Sequence, residues 1–467
     1  MYYSHTENRS RKYVNFLTRN ANLGAIVCGM LFINVNTCIA EILRELDSQS
    51  EQERDFVLLA TATALPFGAI FGGIISNFFA NKYGRRLTMI IADLLTILGV
   101  LFSTQSSLEI MLFSRVVCGV ATGINFMIIP LYVREISPPE MSGSMGSDFR
   151  ISFSIGLLVP ILMSIGLLLK ENIDFWKIIM ISPCLLSIAR IFCFLKWIRM
   201  DTPQYYIENG QEESAIVVLE KIFEGDRVDK IHHREKRFEM KSFWDIFGDR
   251  YRKQVIIVTL LIFAGELMGS NAINFYTTTI FAENDCEEQE IRILNILFML
   301  ARLVASIGGK FLVDKTGRKP LIVYGTIGSI FIAVPIIICE IYDLNPLQNV
   351  LFIMYTAVQG LTLSLVLPIY ASELLPSLGV SLQVVIQMFS ILIIAIIFAT
   401  LGTGFSFSLF AGVGLVTLFP IWRLTKETKG KTINEVYAMF NSGNENGIDD
   451  DFDEEDALNN FDRLRIL

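Results

Sequence analysis

Twelve apolar runs of about 20 residues recur along the 467-residue chain, and each is long enough to cross a hydrocarbon core of ~30 Å. They lie near 21–40, 56–79, 87–103, 108–132, 147–169, 175–198, 255–280, 291–313, 320–340, 348–372, 380–401 and 405–422. Backbone groups in lipid must be satisfied within the segment, which makes the runs helices. Buried helices of a soluble protein do not come in twelve copies parted by such short polar loops. Hydrophobic residues make up 52% of the chain and charged residues 18%, where a soluble protein carries about 25% charge. Disorder, nucleic-acid binding and ordinary cytosolic enzymology are excluded. The cysteines sit mostly inside apolar runs, so no disulfide framework is visible. The N-terminal segment has no apolar core of the signal-peptide kind.

Loop charge sets the expected orientation. Basic residues gather at Arg9–Arg19, at Lys82, Arg85 and Arg86, at Lys315, Arg318 and Lys319, and at Arg423–Lys431; the alternate loops are acidic, as in Glu41–Asp55 and Glu283–Glu290. By the positive-inside rule both termini are cytoplasmic. The expected division is a cytoplasmic N-terminus (1–20), a six-helix bundle (21–198), a cytoplasmic helical linker (199–253), a second six-helix bundle (254–424) and a cytoplasmic tail (425–467), acidic and disordered from about 444. His232 and His233 in the linker are adjacent, not one turn apart, and do not read as metal ligands.

The two halves repeat each other. "NKYGRR" (Asn81–Arg86) returns as "DKTGRK" (Asp314–Lys319), and "PLYVREISP" (Pro130–Pro138) as "PIYASELLP" (Pro368–Pro376), at separations close to half the chain. "DTPQYY" after the sixth run is echoed weakly by "KETKGK" after the twelfth. This is a duplication. The expected fold is an all-α membrane protein of twelve transmembrane helices, 6+6 and pseudo-symmetric, with short cytoplasmic helices between the halves. A cavity at the interface and rocking alternating access follow. Gly84 and Gly317 suit tight turns with φ > 0. The cations that follow them meet an unfavourable helix dipole, so acids are expected beside them: Glu135, Glu373, Asp201 and Glu427. Ion pairs from Arg85, Arg86 and Arg318 to these acids are expected to latch the two halves together and so to gate.

With these motifs in hand the chain resembles the sugar porters of the major facilitator superfamily, its insect trehalose facilitators and animal glucose facilitators above all. Arg115, Gly119, Gly123, Pro130, Tyr132 and Glu135 complete the family's R-x-x-x-G-x-x-x-G…P-x-Y-x-x-E, and "MGSNAINFYTTTIF" matches its seventh-span signature. The resemblance covers about 20–435 and implies movement of a sugar through a central site, with Arg115 structural or gating. The departures are informative. Arg150 stands where the family places a Gln in the fifth span. Gly265 and Glu266 replace a Gln pair. Asn271 is kept, Asn274 adds an amide, and Arg302 replaces an amide in the eighth span. Ser142 and Val380 replace the two Arg of P-x-x-x-R-G, which predicts weaker inner latching and a resting bias toward the inward-open state. The first span, "LFINVNTCIA", lacks the acid of proton symporters.

Charges inside a membrane cost roughly 2.5–3.5 kcal/mol each, so Asp93, Arg150, Arg190, Glu266 and Arg302 need partners or water. At helical spacing Glu266, Ser270 and Asn274 form one polar stripe. Arg150, Glu266, Asn271, Asn274 and Arg302 are the candidate solute-binding residues, Glu266 is also the candidate to take over proton coupling, and a structural Glu–Arg bridge is the competing reading of the charged ones. The expected function is facilitative uniport of a hexose or trehalose at the plasma membrane by a monomer, with no cofactor, metal or nucleic acid and no enzymatic activity. A carrier of a non-sugar or anionic solute and a transport-dead nutrient sensor are the alternatives.

Overall fold

The structure, a computed structural model, describes residues 2–47, 50–137, 142–169, 175–222, 248, 251–269, 271–375, 377–431, 435–436 and 439–440. The acidic tail from 444, most of the linker (223–247), His232, His233 and Ser270 lie outside the described residues. Every regular element among those described is a helix. The membrane helices are α1 (Tyr2–Thr37), α2 (Glu51–Tyr83), α3 (Arg85–Phe102), α4 (Leu108–Ile136), α5 (Ser142–Leu169) and α6 (Phe175–Lys196) in the first half. The second half has α7 (Arg252–Leu267), α8 (Glu288–Thr316), α9 (Arg318–Ile341) and α10 (Asn345–Leu374), then α11 (377–401) and α12 (403–424), which meet at Gly402 with φ 74°. Short helices at Pro203–Glu208 and Glu212–Ile222 follow α6.

The apolar runs become helices, the seventh and tenth with an interruption, and their ends are set by local chemistry. Ser50 and Glu53 form a reciprocal capping box that starts α2. Gly84 (φ 87°) and Gly317 (φ 94°) turn α2 into α3 and α8 into α9 with no further residue between the helices, a conformation that a side chain resists. The end of the molecule that holds these two turns is called here the turn end, and the opposite one the far end.

Packing inside each half is set by small residues, because lipid offers no hydrophobic drive for helix association. A Cβ on Gly68 or Gly72 of α2 would stand 2.1–2.2 Å from the Val116 and Val120 carbonyl oxygens of α4. Reciprocally, one on Gly119 or Gly123 would meet the Leu65 and Ala69 carbonyls of α2 at 2.1–2.3 Å. The motif glycines after Arg115 therefore let two backbones touch. Gly309 of α8 against Leu361 of α10 repeats the device in the second half. Replacing Gly123 by Leu should prise α2 from α4 and abolish recovery of monodisperse protein. Gly412→Ala is the control, since nothing stands within 4 Å of a Cβ there. Equal detergent melting temperatures for the two variants would refute this account of the motif.

Across the halves, α2 packs on α11 and α5 on α8. The α5–α8 pair is in contact along its length. Lys310 Nζ meets Asp148 Oδ1 at 2.5 Å near the turn end, Ser154 and Ser306 are 3.3 Å apart midway, and Arg292 donates to the Ser164 carbonyl at 3.3 Å near the far end.

Candidate functional site

The seventh apolar run is not one continuous helix. α7 stops at Leu267, Gly269 takes φ 78°, a 3-10 turn runs Ala272–Phe275, and helix resumes at Thr277–Glu283. The polar stripe expected from unbroken helical spacing is therefore corrected. Instead the break turns Asn271 back onto Glu266. The Asn271 amide donates to both Glu266 carboxylate oxygens at 2.9 and 3.0 Å, and its carbonyl accepts from Arg302 Nη2 at 2.7 Å. From α11, Gln387 donates to Glu266 Oε1 at 2.8 Å while its own Oε1 faces Arg150 Nη2 at 3.5 Å. One buried chain thus runs Arg302–Asn271–Glu266–Gln387–Arg150 and crosses from the second half to the first. Glu266 is linked to both arginines through amides, which can donate and accept at once.

Four of the five residues expected to meet solute are joined here: Arg150, Glu266, Asn271 and Arg302. Asn274 lies in the same break, fully buried, with neither amide atom hydrogen-bonded. Gln387 is the member that sequence reasoning missed. Its signal was Gln383 and Gln387 one turn apart in an otherwise apolar run. Above the chain, Phe32 of α1 stacks on Phe275 of the break at 5.2 Å and touches Phe126 and Phe153. Asn36 donates to Thr277 at 2.7 Å. Arg150 lies over the rings of Phe126 and Phe149 at 5.7 and 5.8 Å.

The duplicated motifs build two copies of one cluster. Asp201 accepts from the Arg85 and Arg86 backbone amides at 3.1 and 3.0 Å, so its carboxylate caps the start of α3. Arg85 pairs with Glu135 at 2.8 Å and Glu208 at 3.0 Å, and Thr202 donates to Glu135. In the second half Glu427 caps α9 through the Arg318 and Lys319 amides at 2.9 and 3.0 Å, Arg318 pairs with Glu373 at 2.7 Å, and Thr428 donates to Glu373. Burial pushes the Asp201 carboxyl above the ordinary aspartate value, against the pull of the Thr202 and Arg86 amides and of Arg85. The acids expected beside the cations are therefore there. The expectation that these pairs bridge the halves is corrected: each cluster closes within its own half. Arg86 likewise bonds the Phe194 and Ile198 carbonyls of its own half, and Arg115 ties α4 to α1 through the Leu31 carbonyl and Asn34 at 2.6 and 3.1 Å.

Contacts between halves at the turn end come from elsewhere, from Lys310–Asp148 and from Arg134 to the Ser372 carbonyl at 3.4 Å. In this structure these contacts join the two halves at the turn end.

The buried cations that stand apart from the central chain are otherwise engaged. Arg190 of α6 meets Asp93 of α3 at 2.7 Å and also bonds Asn125 of α4 and the Ala21 and Met89 carbonyls. Arg292 of α8 pairs with Glu41, in the short helix Ile39–Glu45 after α1, at 3.0 Å.

Comparison with known proteins agrees with this architecture. Residues 23–440 match the family described as "Sugar (and other) transporter". The chain belongs to that family. Similar members include the glucose transporter GlcP of Staphylococcus epidermidis, 25% identical over 394 residues that cover 80% of this chain and 86% of GlcP. The major myo-inositol transporter IolT of Bacillus subtilis is 24% identical, covering 82% and 85%. Among solved structures, the major facilitator proton:xylose symporter XylE bound to 6-bromo-6-deoxy-D-glucose superposes with a TM-score of 0.81 at 18% identity, over 92% of this chain and all of that one. The partially occluded inward-open XylE from E. coli gives 0.77 at 19% identity, over 90% and 100%. This transporter is accordingly a multi-pass membrane protein with the major facilitator fold.

Proposed function

We infer that the chain is a facilitative sugar carrier of the plasma membrane, working by alternating exposure of a central site, with both termini in the cytoplasm. The observation that carries the reading is the break in α7, which sets amides and a carboxylate at the interface of the halves. Half-broken helices with their freed polar groups mark the binding sites of such folds. Amides suit sugar hydroxyls because they both donate and accept. Relatives named for glucose and myo-inositol support a sugar or polyol as the solute class. Uniport is favoured because α1 offers Asn34 and Asn36, already bonded to Arg115 and Thr277, and no acid between them.

Purified protein in liposomes should exchange radiolabelled sugar, be accelerated by unlabelled sugar on the opposite side, and ignore a protonophore. Absence of exchange for every sugar and sugar acid tried, trehalose included, by folded protein would remove the reading. Within the site, Glu266→Gln should lower exchange by about ten- to a hundredfold, since hydrogen bonds to a charged group contribute about 1.5–3 kcal/mol. The variant offers an N–H where Asn271 and Gln387 both present donors. An unchanged rate would leave Glu266 a structural brace.

A further inference from the structure

We propose that the solute is a sugar acid, a polyhydroxy molecule carrying a carboxylate, which Arg150 receives. The proposal rests on the sugar-carrier reading and narrows its substrate class. Arg150 is 6% exposed, yet among the described residues its Nε and Nη1 have no hydrogen-bond partner and its guanidinium has one polar contact, the long 3.5 Å approach to Gln387. A buried guanidinium left in that state is costly, and its planar fork of donors matches a carboxylate in two-point geometry.

The nearest acid does not discharge it. The Glu266 oxygens are occupied by Asn271 and Gln387, so the amide of Gln387 stands between Glu266 and Arg150. Arg302 draws on the same acid through Asn271. Glu266 is therefore shared and does not pair with Arg150 directly, and a carboxylate brought by the solute would give the Arg150 guanidinium an acceptor of its own on the α5 side.

The remaining surroundings specify hydroxyls and not a simple carboxylic acid. Asn274, fully buried, has a free donor and a free acceptor, and Asn36 has a free carbonyl oxygen. The rings of Phe126 and Phe149 lie under the Arg150 guanidinium and supply no polar partner to it. A neutral hexose would use the amides and leave the guanidinium donors of Arg150 to weak hydroxyl acceptors. A hexuronate satisfies both sets at once.

The test is uptake of labelled D-glucuronate and D-glucose, at equal concentration, by full-length protein in liposomes clamped at set potassium diffusion potentials. Glucuronate should enter at least tenfold faster than glucose, and faster still when the lumen is positive. Arg150→Gln should lower the glucuronate-to-glucose ratio at least tenfold, and Arg150→Lys should retain most of it. Folding of each variant is checked by size-exclusion profile. Glucose entering as fast as glucuronate, with no response to potential, would overturn the sugar-acid proposal and leave the carrier function standing. A ratio unmoved in folded Arg150→Gln would overturn the assignment of Arg150. Transport of neither solute, nor of any other sugar, would sink the carrier reading and this proposal with it.

Discussion

Asp93→Asn is expected to cost the protein its folded first half. Asp93 and Arg190 are both fully buried, 2.7 Å apart, and the Arg190 guanidinium reaches four helices: Asp93 and Met89 on α3, Ala21 on α1, Asn125 on α4, and α6 from which it projects. Gly24 belongs to the same device, because a Cβ there would lie 1.3 Å from Arg190 Nη1. Removing the carboxylate charge strands a buried guanidinium, a loss of about 3–5 kcal/mol. Whole domains are stable by only about 5–15 kcal/mol, so the variant should aggregate on solubilisation or melt far below the parent. The double variant Asp93→Leu with Arg190→Met removes both charges and should recover much of the loss. If Asp93→Asn alone elutes as a monomer with the parent's melting temperature, the pair is not the brace described.

Arg190 also shows where sequence reading stopped. Asp93 and Arg190 stand out in apolar runs as charges in need of partners, but they are 97 positions apart and nothing in either run names the other. The turn-end acids were legible because the physics was local: cations at a helix start demand carboxylates, and Asp201 and Glu427 cap α3 and α9 as that argument requires. What the motif could not say was whether the clusters close within a half or across. Each half is a copy of one ancestral unit, and a copy carries its internal contacts with it, so duplication by itself favours the first outcome.

The site in α7 was half legible for a different reason. A helical wheel assumes unbroken helix, and the Gly269-Ser270-Asn271 sequence breaks it. Glu266 and Asn271 meet because of the break, not because of their spacing. Gln387 was not legible because amides one turn apart in an apolar run, Gln383 and Gln387, are ordinary in membrane helices, and its importance comes only from the two charged groups that α5 and α7 bring to it.

The largest conformational effect is expected from the two ion pairs at opposite ends of the α5–α8 contact. At the far end Arg292 holds Glu41 at 3.0 Å with both side chains 9% exposed, and adds the Ser164 carbonyl. At the turn end Lys310 holds Asp148 with side chains 22% and 36% exposed. Both pairs join one half to the other, and alternating access requires one end to part while the other stays shut. They are therefore opposed locks of unequal strength. An exposed pair contributes about 0–1 kcal/mol, while a hydrogen bond to a charge in drier surroundings contributes about 1.5–3 kcal/mol. Glu41→Gln should thus shift the population toward the far-end-open state by about ten- to a hundredfold, and Asp148→Asn should shift it the other way by about fivefold or less. A cysteine placed at Thr277, buried behind the far-end pair beside Asn36, reports the first shift as faster labelling by an impermeant maleimide. The same cysteine should label more slowly in Asp148→Asn. Equal labelling in both variants, or faster labelling in Asp148→Asn, would show that these pairs do not set the balance between the two ends.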